Sequence, residues 1–302
     1  MEVLNQIESE NALQESEILK ESENSVPRIL EEELDKSQTL GIIKEYFTPT
    51  PSPQELKEMA GIFGQTESEI KREFGAYKAK KLFLKMDYLL SNNALNKKEI
   101  FEKLKLAIRY GFKSVTVMPN MVGFIKSAIG GQNLELRALI SYPFGEDVYK
   151  SKVYAVKKAF SLGANAVIVC VSANAIKNED YKTIAKEFKT FVKIAGKRKV
   201  YALIDCDVIN LEEIEKVSKE IVKTAKIHSI ILTPKLFRGK ISLQTLKGLV
   251  DFVDGKCYVD GGGEVTTPEE TVALINAGAS VVTSENCVEI AENLNRRISA
   301  ET

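Results

Sequence analysis

The chain has 302 residues, 44% of them hydrophobic, and sets 42 Lys and Arg against 42 Asp and Glu for a net charge of +0. That length accommodates one large domain and a smaller appendage, and with no net charge no overall field draws the chain to nucleic acid or an acidic membrane. No apolar run approaches a membrane span and the N-terminus is acidic where a signal peptide would be basic, so a soluble cytoplasmic protein with no membrane contact is expected.

The charge is unevenly placed. Met1 to Lys36 carries acids from Glu2 through Asp35 against only Lys20, Arg28 and Lys36. So little apolar surface cannot offset ordering entropy, and an acidic, disordered tail is expected over residues 1–36. From Ser37 to Lys81 the pattern changes to short helices. Gly41 to Phe47 is an apolar-periodic turn or two, Thr48-Pro-Thr-Pro-Ser-Pro53 breaks it, and Ser52-Pro53 opens a helix running to Phe63 that Gly64 ends. Thr66-Glu-Ser-Glu69 reads as a capping box for a third helix, Ile70 to Lys80. A small all-α module of helix-turn-helix form is therefore expected over residues 37–81.

From Leu82 onward strands and helices alternate. Apolar runs fall at Leu82–Leu90, Ser114–Met118, Leu134–Ile140, Ala166–Val171, Val200–Asp205, Ser229–Thr233, Cys257–Asp260 and Ser280–Ser284. Helical patterns such as Lys97–Tyr110, Tyr149–Leu162, Asp180–Ala195, Leu211–Ala225, Leu243–Val253 and Pro268–Ala277 lie between them. The count predicts an α/β fold, one (β/α)8 or TIM barrel over residues 82–302. The four cysteines, Cys170, Cys206, Cys257 and Cys287, sit in or beside apolar strands with no C-x-x-C pair, which predicts reduced core thiols. The single histidine, His228, precedes a strand at the end of the barrel away from the expected site, and a packing or surface role is predicted.

The helical stretch P-S-P-Q-E-L-K-E-M-A, then T-E-S-E-I-K-R-E-F-G-A-Y-K-A-K, resembles a homeodomain, with the core phenylalanine at Phe74. Glu73 stands where that family has tryptophan, and Ala76 where it has the base-reading asparagine. An acidic tail replaces the basic arm and would repel phosphates, so an interaction module or a cap on the barrel is favoured over DNA binding.

The barrel resembles deoxyribose-phosphate aldolase. Met86-Asp-Tyr-Leu-Leu90 is similar to that family's I-D-H-T-L-L, Thr116 to Val122 to its C-V-N-P-x-x-V, and Ala138 to Gly145 to its V-I-G-F-P-L-G, with Lys150 and Lys152 entering the next helix. Gly163 to Ser172 follows G-A-D-E-I-D-M-V-I-N, Ile230 to Thr233 follows F-V-K-T, and Gly278 to Cys287 follows the phosphate-binding G-A-x-R-I-G-T-S-S-G.

The resemblance implies a Schiff-base lysine near the end of strand six, a second lysine on strand seven that lowers its pKa, and an aspartate on strand four that moves protons. Here those positions fall on Leu232, on Asp260 (or Val259 in a glycine-anchored alignment) and on Ile168. Asp87 on strand one survives. The implied phosphate cradle falls on Gly261, Gly262, Gly263, Ser284 and Glu285, with Glu264 and Glu285 placing carboxylates where a phosphate would bind.

No catalytic residue of the family is intact. The expectation is an aldolase-like barrel that has lost Schiff-base catalysis and acts by binding, as a regulatory or assembly protein with a protein partner or its own copies, and with a sugar-phosphate-like ligand as a further candidate. The alternative is an active deoxyribose-phosphate aldolase with a relocated lysine. Lys235 in the loop above strand six is its candidate, and Lys85, sharing the inward parity of Asp87, is a weaker one. A second alternative is a ligand-sensing, DNA-binding regulator. Asp205, Asp207 and Asp260 lie near strand ends, but without histidine or a second motif no metal and no cofactor are expected.

Overall fold

The computed structural model describes residues 52–91 and 95–300. The acidic tail and the first expected helix, Gly41 to Phe47, lie outside the described residues. The chain divides into two compact units between Ile70 and Lys71, ahead of the residue 81/82 boundary read from composition.

In the first unit, helix α1 (Pro53–Phe63) starts where the sequence says it should. Ser52 Oγ accepts the Glu55 N–H while the Glu55 carboxylate accepts the Ser52 N–H, and Gly64 closes the helix at φ 65°. Helix α2 (Glu67–Phe83) begins on the expected capping box, with Glu69 accepting the Thr66 N–H at 2.7 Å and Thr66 Oγ1 accepting the Glu69 N–H at 3.2 Å. Leu56, Ala60 and Ile70 bury their side chains together there, with Met59 against them.

In the second unit α2 runs on to Phe83, further than Lys80. Leu82 and Phe83 complete this helix and do not begin a strand: Phe83 packs edge-on against Tyr110 and Phe112 at 5.7 and 6.0 Å. The Phe74 side chain is buried as expected, and Lys78 lies 4.6 Å from the centre of its ring.

Eight parallel strands then close on themselves in chain order: β1 (Met86–Leu90), β2 (Ser114–Val117), β3 (Glu135–Ile140), β4 (Ala166–Cys170), β5 (Lys199–Asp205), β6 (Ser229–Thr233), β7 (Tyr258–Gly262) and β8 (Val282–Ser284). The seam joins β1 to β8, with Asp87 beside Thr283. Each crossover carries a helix: α3 (Lys97–Tyr110), α4 (Val122–Ile129), α5 (Tyr149–Ser161), the short α6 (Ala173–Lys177) followed by α7 (Tyr181–Ala195), α8 (Leu211–Thr224), α9 (Leu243–Val253) and α10 (Pro268–Asn276), with α11 (Cys287–Ala300) after β8. Helices α4, α6 and α11 lie outside the helical patterns read from the sequence. Asn96, Asn210 and Thr267 each form a reciprocal capping box with the glutamate three residues on, which fixes the start of α3, α8 and α10.

Strand residues alternate between the barrel interior and the helix layer. The interior is filled by Leu89, Leu139, Ala166, Ile168, Cys170, Tyr201, Leu203, Ile231 and Phe237. Because both faces of a barrel strand are covered, strands such as β4 and β6 read as apolar runs, while β2 and β3 alternate where polar residues are buried, as in Ser114-Val-Thr-Val117.

Candidate functional site

Sites in this architecture form at the C-terminal ends of the strands. On β4 the inner face presents Ile168 and Cys170, as expected. On β6 the sequence reading requires correction. Leu232 does not face the interior: its register partner is Gly261, whose missing side chain would point at Leu246 of α9, and it is Ile231 that joins the interior cluster. The inner positions of β6 are therefore Ser229, Ile231 and Thr233, two residues apart along the strand. On β7 they are Asp260, register partner of Ile231, and Gly262. None of these carries an amine.

The space above Ile231 is occupied by the chain itself. Immediately after β6, Lys235, Leu236 and Phe237 adopt φ values of 48°, 53° and 72°, three successive left-handed residues without a glycine. Left-handed backbone costs an L-residue roughly 1–2 kcal/mol. The turn is held from several sides. Asp205 Oδ1 accepts the Lys235 N–H at 3.0 Å, Thr233 Oγ1 accepts the Phe237 N–H at 2.7 Å, and the Tyr142 hydroxyl donates to the Leu236 carbonyl at 3.1 Å. Its effect is to fold the Phe237 ring, 6% exposed, into the barrel beside Gly262, where a β-carbon would come within 2.5 Å of the ring. Lys235 itself is exposed. Lys85 precedes β1 at the foot of the barrel, with its pKa lowered by burial and by Lys113.

The glycines and serine of the expected phosphate cradle are brought together but bonded to one another's strands. The Gly261 and Gly263 N–H groups donate to the Val281 and Thr283 carbonyls at 3.0 and 3.2 Å. Gly263 holds φ 155° with its backbone against the Gly239 carbonyl, where a β-carbon would sit at 2.5 Å. Ser284 Oγ and Asn286 Nδ2 both donate to the Val265 carbonyl, at 2.8 and 3.2 Å, and Ser284 Oγ also accepts the Asn286 N–H at 3.0 Å. Glu285 is exposed and accepts the Ser91 hydroxyl.

Lower in the barrel lies a group that sequence reasoning missed. Arg137 of β3 is fully buried, the visible signal being two charged residues two positions apart, Glu135 and Arg137, within the apolar run Leu134–Ile140. Its Nε donates to Glu135 at 2.8 Å, its Nη1 stands 3.7 Å from Asp87 and 3.8 Å from Asp260, and its guanidinium lies 4.4 Å from the centre of the Tyr201 ring. Burial opposes the guanidinium charge, but Asp87, Tyr201 and Glu135 outweigh it and raise its pKa. Asp87 also accepts the hydroxyls of Thr116 at 2.7 Å and Thr283 at 3.1 Å. For Asp260 burial dominates, pushing its carboxyl up to about 7 against the pull of Arg137. Burial would likewise raise Glu135, yet Arg137 and Lys199 hold it down at about 2.

His228 packs between the rings of Tyr201 and Tyr258, and burial, with Lys199 nearby, lowers its pKa to about 4, in line with a packing role. Asp205 is engaged by the backbone of Asp207 and Lys235. Among the described residues no three His, Cys, Asp or Glu side chains converge as metal ligands, and no helix is long and apolar enough to cross a membrane.

No family model matches the chain. Among curated proteins it is similar to the deoxyribose-phosphate aldolase of Mycoplasma capricolum subsp. capricolum, 26% identical over 205 residues, or 68% of this chain and 92% of that protein. The deoxyribose-phosphate aldolase of Thermococcus kodakarensis is 26% identical over 199 residues, 65% of this chain and 89% of that protein. Among solved structures, one titled "QR15, an Aldolase" superposes with a TM-score of 0.67 at 21% identity, covering 73% of this chain and 99% of that one. The tetrameric deoxyribose phosphate aldolase of Aeropyrum pernix gives a TM-score of 0.64 at 15% identity, covering 80% and 98%. The structural likenesses speak for the fold and the sequence likenesses for descent: the barrel of this chain is a relative of the deoxyribose-phosphate aldolases.

Proposed function

We propose that this aldolase-related barrel has given up Schiff-base catalysis in its interior and acts by binding, as a regulatory or assembly partner of another protein or of its own copies. One observation carries the reading: the inner faces of β6 and β7 bear Ser229, Ile231, Thr233, Asp260 and Gly262, and no amine. Imine formation needs a neutral amine to attack the carbonyl carbon, and the proton transfers that follow need an acid and a base in reach. On β4, Ile168 has no proton to give, and burial drives the Cys170 thiol well above its ordinary pKa. The charges inside the barrel, Arg137, Asp87, Glu135 and Asp260, face one another, and Phe237 fills the space a sugar carbonyl would need.

The names of the curated relatives favour a second reading, an active aldehyde lyase of the deoxyribose-phosphate aldolase type. Lys235 is then the displaced amine. It belongs to the loop that follows β6, where its side chain is exposed rather than turned into the barrel. Incubation with 2-deoxyribose 5-phosphate and borohydride, followed by intact-mass measurement, separates the two. An unchanged mass and no release of acetaldehyde are expected; a stoichiometric adduct that disappears in Lys235→Ala overturns the first reading in favour of the second.

A further inference from the structure

A pocket of about 190 Å³ lies at the C-terminal end of β4, walled by the β3–α5 loop and by α5, α6 and α7. It is built by a close backbone approach. Gly145, at φ 73°, lies so near the end of β4 that a β-carbon would stand 2.7 Å from the Val171 carbonyl carbon and 2.8 Å from the Ser172 nitrogen. This brings the next residue, Glu146, over Ser172, whose hydroxyl donates to both carboxylate oxygens at 2.8 Å, while the Asn174 N–H donates to one of them at 3.3 Å. From α5, Lys152 enters with only 5% of its surface exposed and donates to Glu187 of α7 at 3.2 Å. An ammonium has three donors. Glu187 takes one, leaving two for whatever occupies the pocket.

The lining sets the ligand chemistry. Three carboxylates, Glu146, Asp147 and Glu187, face one ammonium, Lys152, so a phosphate or carboxylate entering here meets excess negative charge in a partly desolvated site. A cationic ligand meets a buried ammonium whose remaining N–H groups it cannot satisfy. A hydroxyl suits both, since it donates to a carboxylate and accepts from an ammonium. Ile184 and Phe188 give the pocket an apolar wall for the carbon side of such a molecule. We propose that this pocket binds a neutral polyhydroxylated compound, an unphosphorylated sugar or polyol, with hydroxyls donating to Glu146 and Glu187 and accepting from Lys152. The inner residues of β6 and β7 take no part, so this inference and the loss of Schiff-base chemistry stand or fall separately.

The test is ligand-observed NMR titration of the full chain with ribose, erythritol and ribose 5-phosphate. Saturable binding of ribose or erythritol in the millimolar range is expected, with ribose 5-phosphate weaker than ribose by about tenfold or more. Ala175→Phe, which fills the pocket from α6 without changing its charge, should abolish binding at an unchanged melting temperature. Lys152→Met should weaken it by about tenfold, the loss of a charge-assisted hydrogen bond. The proposal is overturned if neither neutral ligand binds, if Ala175→Phe binds them as the parent does, or if ribose 5-phosphate binds more tightly than ribose.

Discussion

Replacing Arg137 with methionine tests the energetics of the barrel interior most directly. Methionine keeps much of the volume and removes the cation, leaving Asp87 and Asp260, both essentially buried, without the guanidinium that stands 3.7 and 3.8 Å away. Breaking a buried ion group by removing one member costs about 3–5 kcal/mol, because the remaining charge is stranded. The cost should depend on pH. Asp260 already holds its proton up to about 7, against 3.8 as its ordinary value, so the folded state binds a proton that the unfolded state has released. Stability therefore falls as pH rises between those values. Without Arg137, which pulls that pKa down, the window extends upward, and the destabilisation should be larger at pH 8 than at pH 6. Urea unfolding at both pH values measures this through midpoint and slope. The triple variant Arg137→Met, Asp87→Asn, Asp260→Asn should recover most of the loss, since replacing a whole buried ion group is often neutral. An Arg137→Met protein within about 1 kcal/mol of the parent at both pH values would refute the reasoning, since that is far below the cost of a stranded buried charge.

Other changes probe the mouth and the caps. Gly262→Ala forces a β-carbon to within 2.5 Å of the Phe237 ring and should cost about 1–3 kcal/mol, whereas in a Phe237→Ala background the same change should cost less, the Thr283 carbonyl at 3.2 Å being the contact that remains. Equal costs in the two backgrounds would show that the ring does not sit there. Phe237→Ala alone should lower stability by about 3 kcal/mol in chemical denaturation, the low end for a buried aromatic. Asn210→Ala removes the cap of α8 and should cost about 1 kcal/mol, with Asn210→Ser retaining most of the stability.

How much of this was visible in the sequence varied with the kind of signal. Ser52 and Gly64 mark the ends of α1 to the residue and the Thr66–Glu69 box marks the cap of α2, though not that helix's full span, because capping is local chemistry between groups a few positions apart. The eight strands were legible as apolar runs, but their facing was not. In Ser229-Ile-Ile-Leu-Thr233 both faces are buried, so nothing in the pattern distinguishes Ile231 from Leu232, and matching the motif to F-V-K-T set the position one residue out. Phe237 was passed over because its placement depends on three left-handed residues, none of them glycine, which propensity gives no reason to expect. The sequence shows Lys152 only as a residue entering a helix. Its burial depends on Glu187, 35 positions away, and on the approach of Gly145 to β4, which are tertiary facts.

The turn after β6 also bears on any attempt to place a Schiff-base lysine on the inner face of that strand. A lysine restored at Ile231 would face inward, yet its amine would meet an aromatic ring where a substrate carbonyl has to stand, and Asp260 beside it would hold the ammonium charged rather than drive it neutral. Engineering in that direction must begin with the loop. Until Lys235–Phe237 is recast so that the ring swings clear, and a cation replaces Asp260, each active-site substitution made singly would look like a failure of chemistry when it is a failure of space.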